Sequence, residues 1–158
     1  MNRENTCCVT GHRKLPETKI RQIAINLNRE IEQLLSVGVE YFISGGALGF
    51  DLIAAENVIL KRDKGYSARL IFALPCRDHD KKWTGDQKNL LHGLIHKADK
   101  VLYISREYDQ ECMRLRNQYM VEHSKYCICA FLRNRSGTGQ TLAMAKRNHL
   151  NILNIAKP

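Results

Sequence analysis

The sequence contains no apolar run that approaches the roughly 20 residues needed to cross a bilayer as a helix. Its first residues, Met1 to Asn5, do not have the apolar core of a secretory signal peptide and lead directly into a predicted strand. We therefore expect a cytoplasmic protein with no membrane partner.

The six cysteines do not form a pattern typical of a metal site. Cys76 and His79 have metal-like spacing, but no second Cys/His pair follows to complete a tetrahedral ligand set. Four of the cysteines, Cys7, Cys8, Cys127 and Cys129, lie in apolar runs. We interpret all six as reduced thiols that act as small apolar residues, and we expect no bound metal.

Residues 44–51 have the composition of a phosphate-binding loop but lack two well-known signatures. The segment reads Ser-Gly-Gly-Ala-Leu-Gly-Phe-Asp and lies between an apolar run, 39–43, and a helix-like run, 52–61. No Lys-Ser or Lys-Thr closes it, and its glycines do not follow Gly-x-Gly-x-x-Gly. A strand that ends in glycines and opens a helix can present N–H groups to an anion. The alternative is a glycine turn that only allows close helix–strand packing.

Strand and helix patterns alternate along the chain. Continuous apolar runs predict strands, and apolar residues three and four apart predict helices. The predicted strands cover 6–9, 39–43, 69–74, 101–104, 126–131 and 151–155, and the predicted helices lie at 20–35, 52–61, 86–97, 112–123 and 141–149. With 158 residues and no linker or repeat, this order predicts one α/β domain, 1–158, with a mainly parallel sheet covered by helices on both faces.

Six of the ten glycines lie in three loops that follow predicted strands. In a parallel sheet the carboxyl ends of the strands meet at one edge, and ligands bind there near the point where the strand order reverses. The net charge of +9 suits a phosphate-bearing partner, whether a nucleotide or a nucleic acid. The sequence therefore predicts a site for a phosphate-bearing small ligand at this edge.

Four segments, in this order, resemble the SLOG superfamily, which unites the DNA-processing protein of bacterial transformation with the LOG, or lysine-decarboxylase-like, enzymes. They are Thr10-Gly11-His12-Arg13, residues 45–51, Arg116-Asn117 and the glycine-rich loop after the fifth strand. The chain is most similar to the YpsA-like group, a bacterial family of unknown function. The resemblance implies a Rossmann-like three-layer sandwich with a doubly wound sheet, a nucleotide or nucleotide-derived ligand, and a homo-oligomer.

The resemblance also indicates which residues would bind the ligand. The glycines of 45–49 would receive a phosphate, and residues 137–139 would form a second anion-binding turn. Asp51 would cap its helix or bond a ribose hydroxyl, and His12 would either contact the ligand or make a hydrogen bond within its turn. The full set expected at the site is Thr10, Gly11, His12, Arg13, Ser44, Gly45, Gly46, Gly49, Asp51, Arg116, Asn117, Ser136, Gly137, Thr138, Gly139 and Thr141.

The loop after the fifth strand lacks the glutamate of LOG-type phosphoribohydrolases, which carry Pro-Gly-Gly-x-Gly-Thr-x-x-Glu there. Residues 136–144 contain no carboxylate, so the obvious general acid/base is missing. We therefore expect a sensor or carrier domain rather than an enzyme. Two alternatives stay open: a hydrolase or transferase acting on an N-glycosidic or phosphate-linked bond of a nucleotide, and a nucleic-acid-binding protein. Aromatic residues for base stacking are few near the basic loops, and Trp83 and Tyr108 are the best candidates.

Overall fold

The computed structural model describes residues 1–132 and 137–156. Within these ranges a short 3-10 helix, Arg3–Asn5, precedes an alternation of strands and helices. The strands are β1 Thr6–Gly11, β2 Tyr41–Ser44, β3 Arg69–Leu74, β4 Lys100–Tyr103, β5 Tyr126–Ala130 and β6 Asn151–Asn154; the helices are α1 Glu17–Ser36, α2 Phe50–Asp63, α3 Gly85–Lys97, α4 Cys112–Glu122 and α5 Gly137–Arg147. None of these helices has the length and apolar character that a membrane span requires.

The six strands form one parallel sheet in the order β4-β3-β2-β1-β5-β6. The predicted α/β, Rossmann-like fold is therefore confirmed. On one side of β1 the chain adds β2, β3 and β4 in turn. It then crosses to the other side of β1 and adds β5 and β6. The reversal between β1 and β5 creates a crevice at their carboxyl ends, which is where such sheets bind ligands.

Two apolar cores cover the two faces of the sheet. The larger core packs α1, α2 and α3 against one face, and the smaller core packs α4 and α5 against the other. On α1 the buried residues Ile23, Leu27, Ile31 and Leu34 recur at intervals of three and four, as the sequence pattern predicts. All six cysteines are buried, also as predicted.

Most element boundaries differ by one to a few residues from the sequence-based expectation, and two of these differences bear on the candidate site. β1 extends to Gly11 because Thr10 and Gly11 pair with Cys129 and Ala130 of β5. α5 begins at Gly137, so Gly137, Thr138 and Gly139 form its first turn rather than a separate turn. Two glycines in this segment lead the sequence pattern to predict a loop. Glycine lowers helix stability mainly in helix interiors, so it is tolerated in this first turn.

The loop between β2 and α2 holds the start of α2 against β1. Gly49 precedes the helix with φ of 83°, and the N–H of Phe50 donates to the carbonyl of His12 at 3.2 Å. A Cβ on Gly49 would lie 2.6 Å from that carbonyl oxygen and closer still to the carbonyl oxygen of Arg13. This contact is between two backbone segments, so neither can move aside for a side chain.

Replacing Gly49 with alanine should lower the free energy of unfolding by about 1–3 kcal/mol, because both the positive φ and the backbone contact oppose a Cβ. Gly93→Ala is the matched control: it lies within α3 with no atom near its Cβ position, and it should be neutral or stabilising by up to about 1 kcal/mol. Urea unfolding measures both variants. Equal effects of the two substitutions would contradict the close packing at Gly49.

Candidate functional site

A cavity of about 350 Å³ opens at the carboxyl edge of the sheet, beside the ends of β1 and β5. It lies at the reversal of strand order, as expected for this type of sheet. Its wall comes from the loops after β1, β2 and β3 and from the N-terminal turns of α4 and α5. The lining residues are Thr10, Gly11, His12, Arg13, Ala47, Asp51, His79, Trp83, Met113, Arg114, Arg116, Asn117, Gly137, Thr138, Gln140 and Thr141.

The structure brings most of the predicted site residues together. Those that line the cavity are Thr10, Gly11, His12, Arg13, Asp51, Arg116, Asn117, Gly137, Thr138 and Thr141. Those that are not among the lining residues are Ser44, Gly45, Gly46, Gly49 and Gly139. Ser136 lies outside the described residues.

The glycine loop after β2 faces the protein rather than the cavity. The N–H of Gly46 donates to Ser44 Oγ at 3.2 Å, and the Ser44 hydroxyl donates to the carbonyl of Asp51 at 2.9 Å. Gly46 has φ of 68°, and a Cβ there would overlap the Leu74 side chain. Gly45 is covered by the Arg116 guanidinium, which donates to its carbonyl oxygen. The geometry favours the packing alternative for these glycines, since their missing side chains make room for protein atoms.

Asp51 and Arg116 form the buried, charged part of the wall. Asp51 is 5% exposed, and its Oδ2 accepts a hydrogen bond from the N–H of Ala47 at 3.3 Å, so it closes the glycine loop instead of capping α2. Arg116 is also buried, and its Nε donates to Asn117 Oδ1 at 2.7 Å. Burial raises the pKa of Asp51 to about 6, although the positive charge of Arg116 and the Ala47 N–H oppose that rise. The carboxyl group can therefore exchange a proton near neutral pH.

His12 has a structural hydrogen bond and also lines the cavity. Its Nε2 accepts from the N–H of Leu132 at 2.9 Å, which links the loop after β1 to the end of β5. Its ring lies 5.8 Å from that of Phe131. The sequence left open a ligand contact or a hydrogen bond within the turn; the hydrogen bond described here crosses to the segment after β5 rather than staying in the turn, and the ring also lines the cavity.

Three lining residues that could bind a ligand through a ring or a charge are absent from the set predicted from the sequence: His79, Trp83 and Arg114. Trp83 packs edge-on against His79, with ring centroids 5.4 Å apart and planes at 81°. Burial lowers the pKa of His79 to about 4, so its ring is neutral at pH 7. His79 and Trp83 both lie in the segment between β3 and α3. In the sequence, only the aromatic character of Trp83 indicates that this segment could contact a ligand. Arg114 joins Arg116 at the cavity because both lie near the start of α4.

The wall as a whole suits an anion attached to a flat ring. Three arginines, Arg13, Arg114 and Arg116, line the cavity together with the carboxyl group of Asp51. The first turn of α5 adds the positive end of a helix dipole, which attracts negative charge. Trp83 supplies an aromatic surface at the same cavity.

The Asp51→Asn variant should reveal the proton on Asp51 when the free energies of unfolding of the two proteins are compared at each pH. The value for the wild-type protein, taken relative to that for the variant, should fall by about 2–3 kcal/mol as the pH rises from about 4 to about 6. In that window the folded protein keeps a proton on Asp51 that the unfolded chain has released, so rising pH favours unfolding. Above the folded pKa the difference should level off. Chemical unfolding at several pH values tests this; a difference that grows with pH would mean that Asp51 is ionised and held by Arg116.

Solved structures with the same fold include two bacterial DNA processing proteins. DNA processing protein A from Streptococcus pneumoniae matches 93% of this chain with a TM-score of 0.69 and 17% identity, and this chain covers 48% of that protein. The Helicobacter pylori protein, known for a single-stranded DNA binding mode, matches 93% of this chain with a TM-score of 0.66 and 18% identity; 63% of it is covered. At these identities the likeness shows the fold, and this chain spans only part of each protein.

Sequence similarity is stronger to a prophage protein. YoqJ, an SPbeta prophage-derived protein of Bacillus subtilis, is 31% identical over 133 residues, which are 76% of this chain and 78% of YoqJ. A family model described as the YspA SLOG family matches residues 7–153. That range covers the six strands apart from Thr6, the first residue of β1, and Asn154, the last residue of β6. It also covers every described segment of the cavity wall. The chain therefore belongs to the YspA SLOG family.

Proposed function

We propose that this protein binds a nucleotide or nucleotide-derived ligand in the cavity at the carboxyl edge of the sheet and serves as a sensor or carrier domain. The observation that carries the proposal is the make-up of the cavity wall. One cavity combines a helix N-terminus, several arginines and a half-buried tryptophan. In a nucleotide, the phosphate would contact the helix N-terminus and the arginines, and the base would contact the tryptophan.

The phosphate would lie near the first turn of α5. Gly137 and Thr138 of this turn line the cavity, and Thr138 is 6% exposed. Helix N-termini present N–H groups that have no acceptor within the helix, and the dipole favours an anion there. Arg13 is exposed at the same cavity, so its guanidinium group can bind phosphate oxygens. Arg114 is exposed there too, but its guanidinium group is already partly engaged, since it donates to Glu111 at 2.6 Å and to Gln118 at 3.2 Å.

The base would pack on Trp83. The ring of Trp83 is held in place by its edge-on contact with His79. Stacking on an aromatic side chain is tolerant of base identity. A cavity of about 350 Å³ is within the range used for small ligands.

Sensing would follow from the way the wall is assembled. The cavity joins segments packed on both faces of the sheet: α2 on one face, and α4 and α5 on the other. A ligand that bridges these segments favours whichever arrangement of them it contacts best. The altered arrangement of these helices would change how copies of this chain associate, and that change would be the signal.

Arg13→Ala should weaken the binding of adenosine monophosphate by about 10-fold, as expected for the loss of one charge-assisted hydrogen bond. Lys14→Ala is the matched control, since Lys14 is an exposed neighbouring cation that does not line the cavity, and it should change the affinity less than about 2-fold. Calorimetry gives the affinities. Trp83, the only tryptophan, should change its fluorescence on binding. Equal losses in both variants, or an unchanged spectrum at saturation, would count against the cavity as the site.

A hydrolase is the second candidate, and Asp51 is the observation that favours it. Its carboxyl group lines the cavity, and its pKa of about 6 suits a general acid. It would act in place of the glutamate that the loop after β5 lacks.

We expect the protein to release free base from nucleoside monophosphates far more slowly than about 1 per second, the low end of ordinary enzyme rates. Residues 137–144 hold no carboxylate, and loss of a positioned general acid or base typically costs about 10²–10⁴-fold. Chromatography of the nucleotides after incubation measures release. Turnover at or above that rate, abolished by Asp51→Asn, would replace the binding proposal with the hydrolase.

Single-stranded nucleic acid is a third candidate. The net charge of +9 and the binding mode of the Helicobacter pylori relative favour it. Binding of a strand through several phosphates falls steeply with salt, whereas a mononucleotide bound in a cavity depends on salt far less. The salt dependence of oligonucleotide affinity therefore separates this candidate from the first.

A further inference from the structure

A second cavity lies next to the candidate site along the same edge of the sheet. Its volume is about 180 Å³, and His79 lines both cavities. Leu74 and Tyr103, the last residues of β3 and β4, form part of its wall. The segment between β3 and α3 thus supplies Trp83 to the first cavity and Arg77 to the second.

The second cavity places an exposed arginine, Arg77, at its wall. The guanidinium carbon of Arg77 lies 4.3 Å from the centroid of the Tyr103 ring, a stacked arrangement that leaves the N–H groups at the edge of the guanidinium plane for a ligand. One carboxylate, Asp80, lines the cavity; it is 8% exposed and lies 3.2 Å from His92 Nε2. His96 follows one turn later on α3. An anion here could bind the exposed guanidinium of Arg77, while the Asp80 carboxylate is buried and engaged by His92.

The positions of the two cavities limit the kind of ligand that reaches both. The first turn of α5 follows β5, and Arg77 follows β3, with β1 and β2 between these strands. Three steps between neighbouring strands amount to about 14 Å. His79 lines both cavities, and Trp83, its edge-on neighbour, lines the first. Adjacent phosphates of a nucleoside diphosphate would stay within one cavity.

We propose that the second cavity is an anion subsite of the candidate site, and that the ligand is a nucleoside unit with a phosphate on each side of it. One phosphate lies at the first turn of α5, the base packs on Trp83, and the second phosphate is bound by Arg77. This inference rests on the proposed function, since it extends the same ligand into the neighbouring cavity. A free nucleoside bisphosphate and a short nucleic-acid strand both contain such a unit.

The test compares two ligands with the same number of phosphates. Adenosine 3′,5′-bisphosphate has its phosphates on opposite sides of the sugar, and adenosine diphosphate has them adjacent. Calorimetry with the full chain should show the bisphosphate binding about 10-fold more tightly, the effect of one additional charge-assisted hydrogen bond. Near neutral pH the two phosphomonoesters of the bisphosphate carry more negative charge than the diphosphate, so a general attraction of the basic protein also favours it. That general part would be reduced equally by removing Arg77 or another exposed arginine.

The variants identify the residue responsible. Arg77→Ala should remove the advantage of the bisphosphate while changing the affinity for adenosine monophosphate less than about 2-fold. Arg77→Lys should keep part of it, because a charge remains. Arg106→Ala is the matched control, since Arg106 is exposed in the loop after β4 and lines neither cavity; it should preserve the advantage.

Equal affinities of the wild-type protein for the two ligands would overturn the inference, and so would an Arg77→Ala variant that keeps the advantage or weakens all ligands alike. If the monophosphate binds in those cases, the proposed function stands without the second subsite. If no nucleotide binds, both proposals fail. A phosphorylated dinucleotide distinguishes the two sources: tighter binding than the bisphosphate indicates a strand, and weaker binding indicates the free nucleotide.

Discussion

The candidate site depends on the close packing of two backbone loops at the centre of the sheet. The loop after β2 passes so near the loop after β1 that only glycine fits at Gly49, and Gly11 leaves room for the ring of Phe50. The hydrogen bond from the Phe50 N–H to His12 fixes this contact. Because α2 must therefore begin beside β1, Asp51 faces the crevice between β1 and β5. The position of this carboxyl group follows from backbone packing rather than from a side-chain contact.

Arg116 completes the arrangement at an electrostatic cost. Its guanidinium group is buried over Gly45, and Asp51 is buried nearby, so both lose hydration. Buried charges of opposite sign are weak evidence for stability, since well-packed apolar residues often serve folding as well or better. Groups with pKa values shifted by burial are frequent at functional sites. The arrangement is therefore easier to understand as part of a binding surface than as a contribution to the fold.

The sequence predicted the sheet well because each strand is an apolar run and each helix has its own periodicity. It also predicted which strand ends line the cavity, since a parallel sheet collects those ends at one edge. It was less informative about Gly45, Gly46 and Gly49, because a glycine shows that a side chain is absent without showing which side of the loop is crowded. Trp83 and His79 reach the cavity from a segment that has no local motif, so only the tertiary structure joins them to Asp51.

The placement of carboxyl groups around the cavity bears on binding versus turnover. The first turn of α5 carries none, so its positive end is available to an anion without opposing charge from residues 137–144. Among the described residues of the wall, only Asp51 has a carboxyl group; it comes from α2 and is held by the Ala47 N–H next to Arg116. A phosphate at α5 would thus meet attraction from the helix while the acidic group stays engaged with the protein. That division suits the proposed function, a site which retains its ligand.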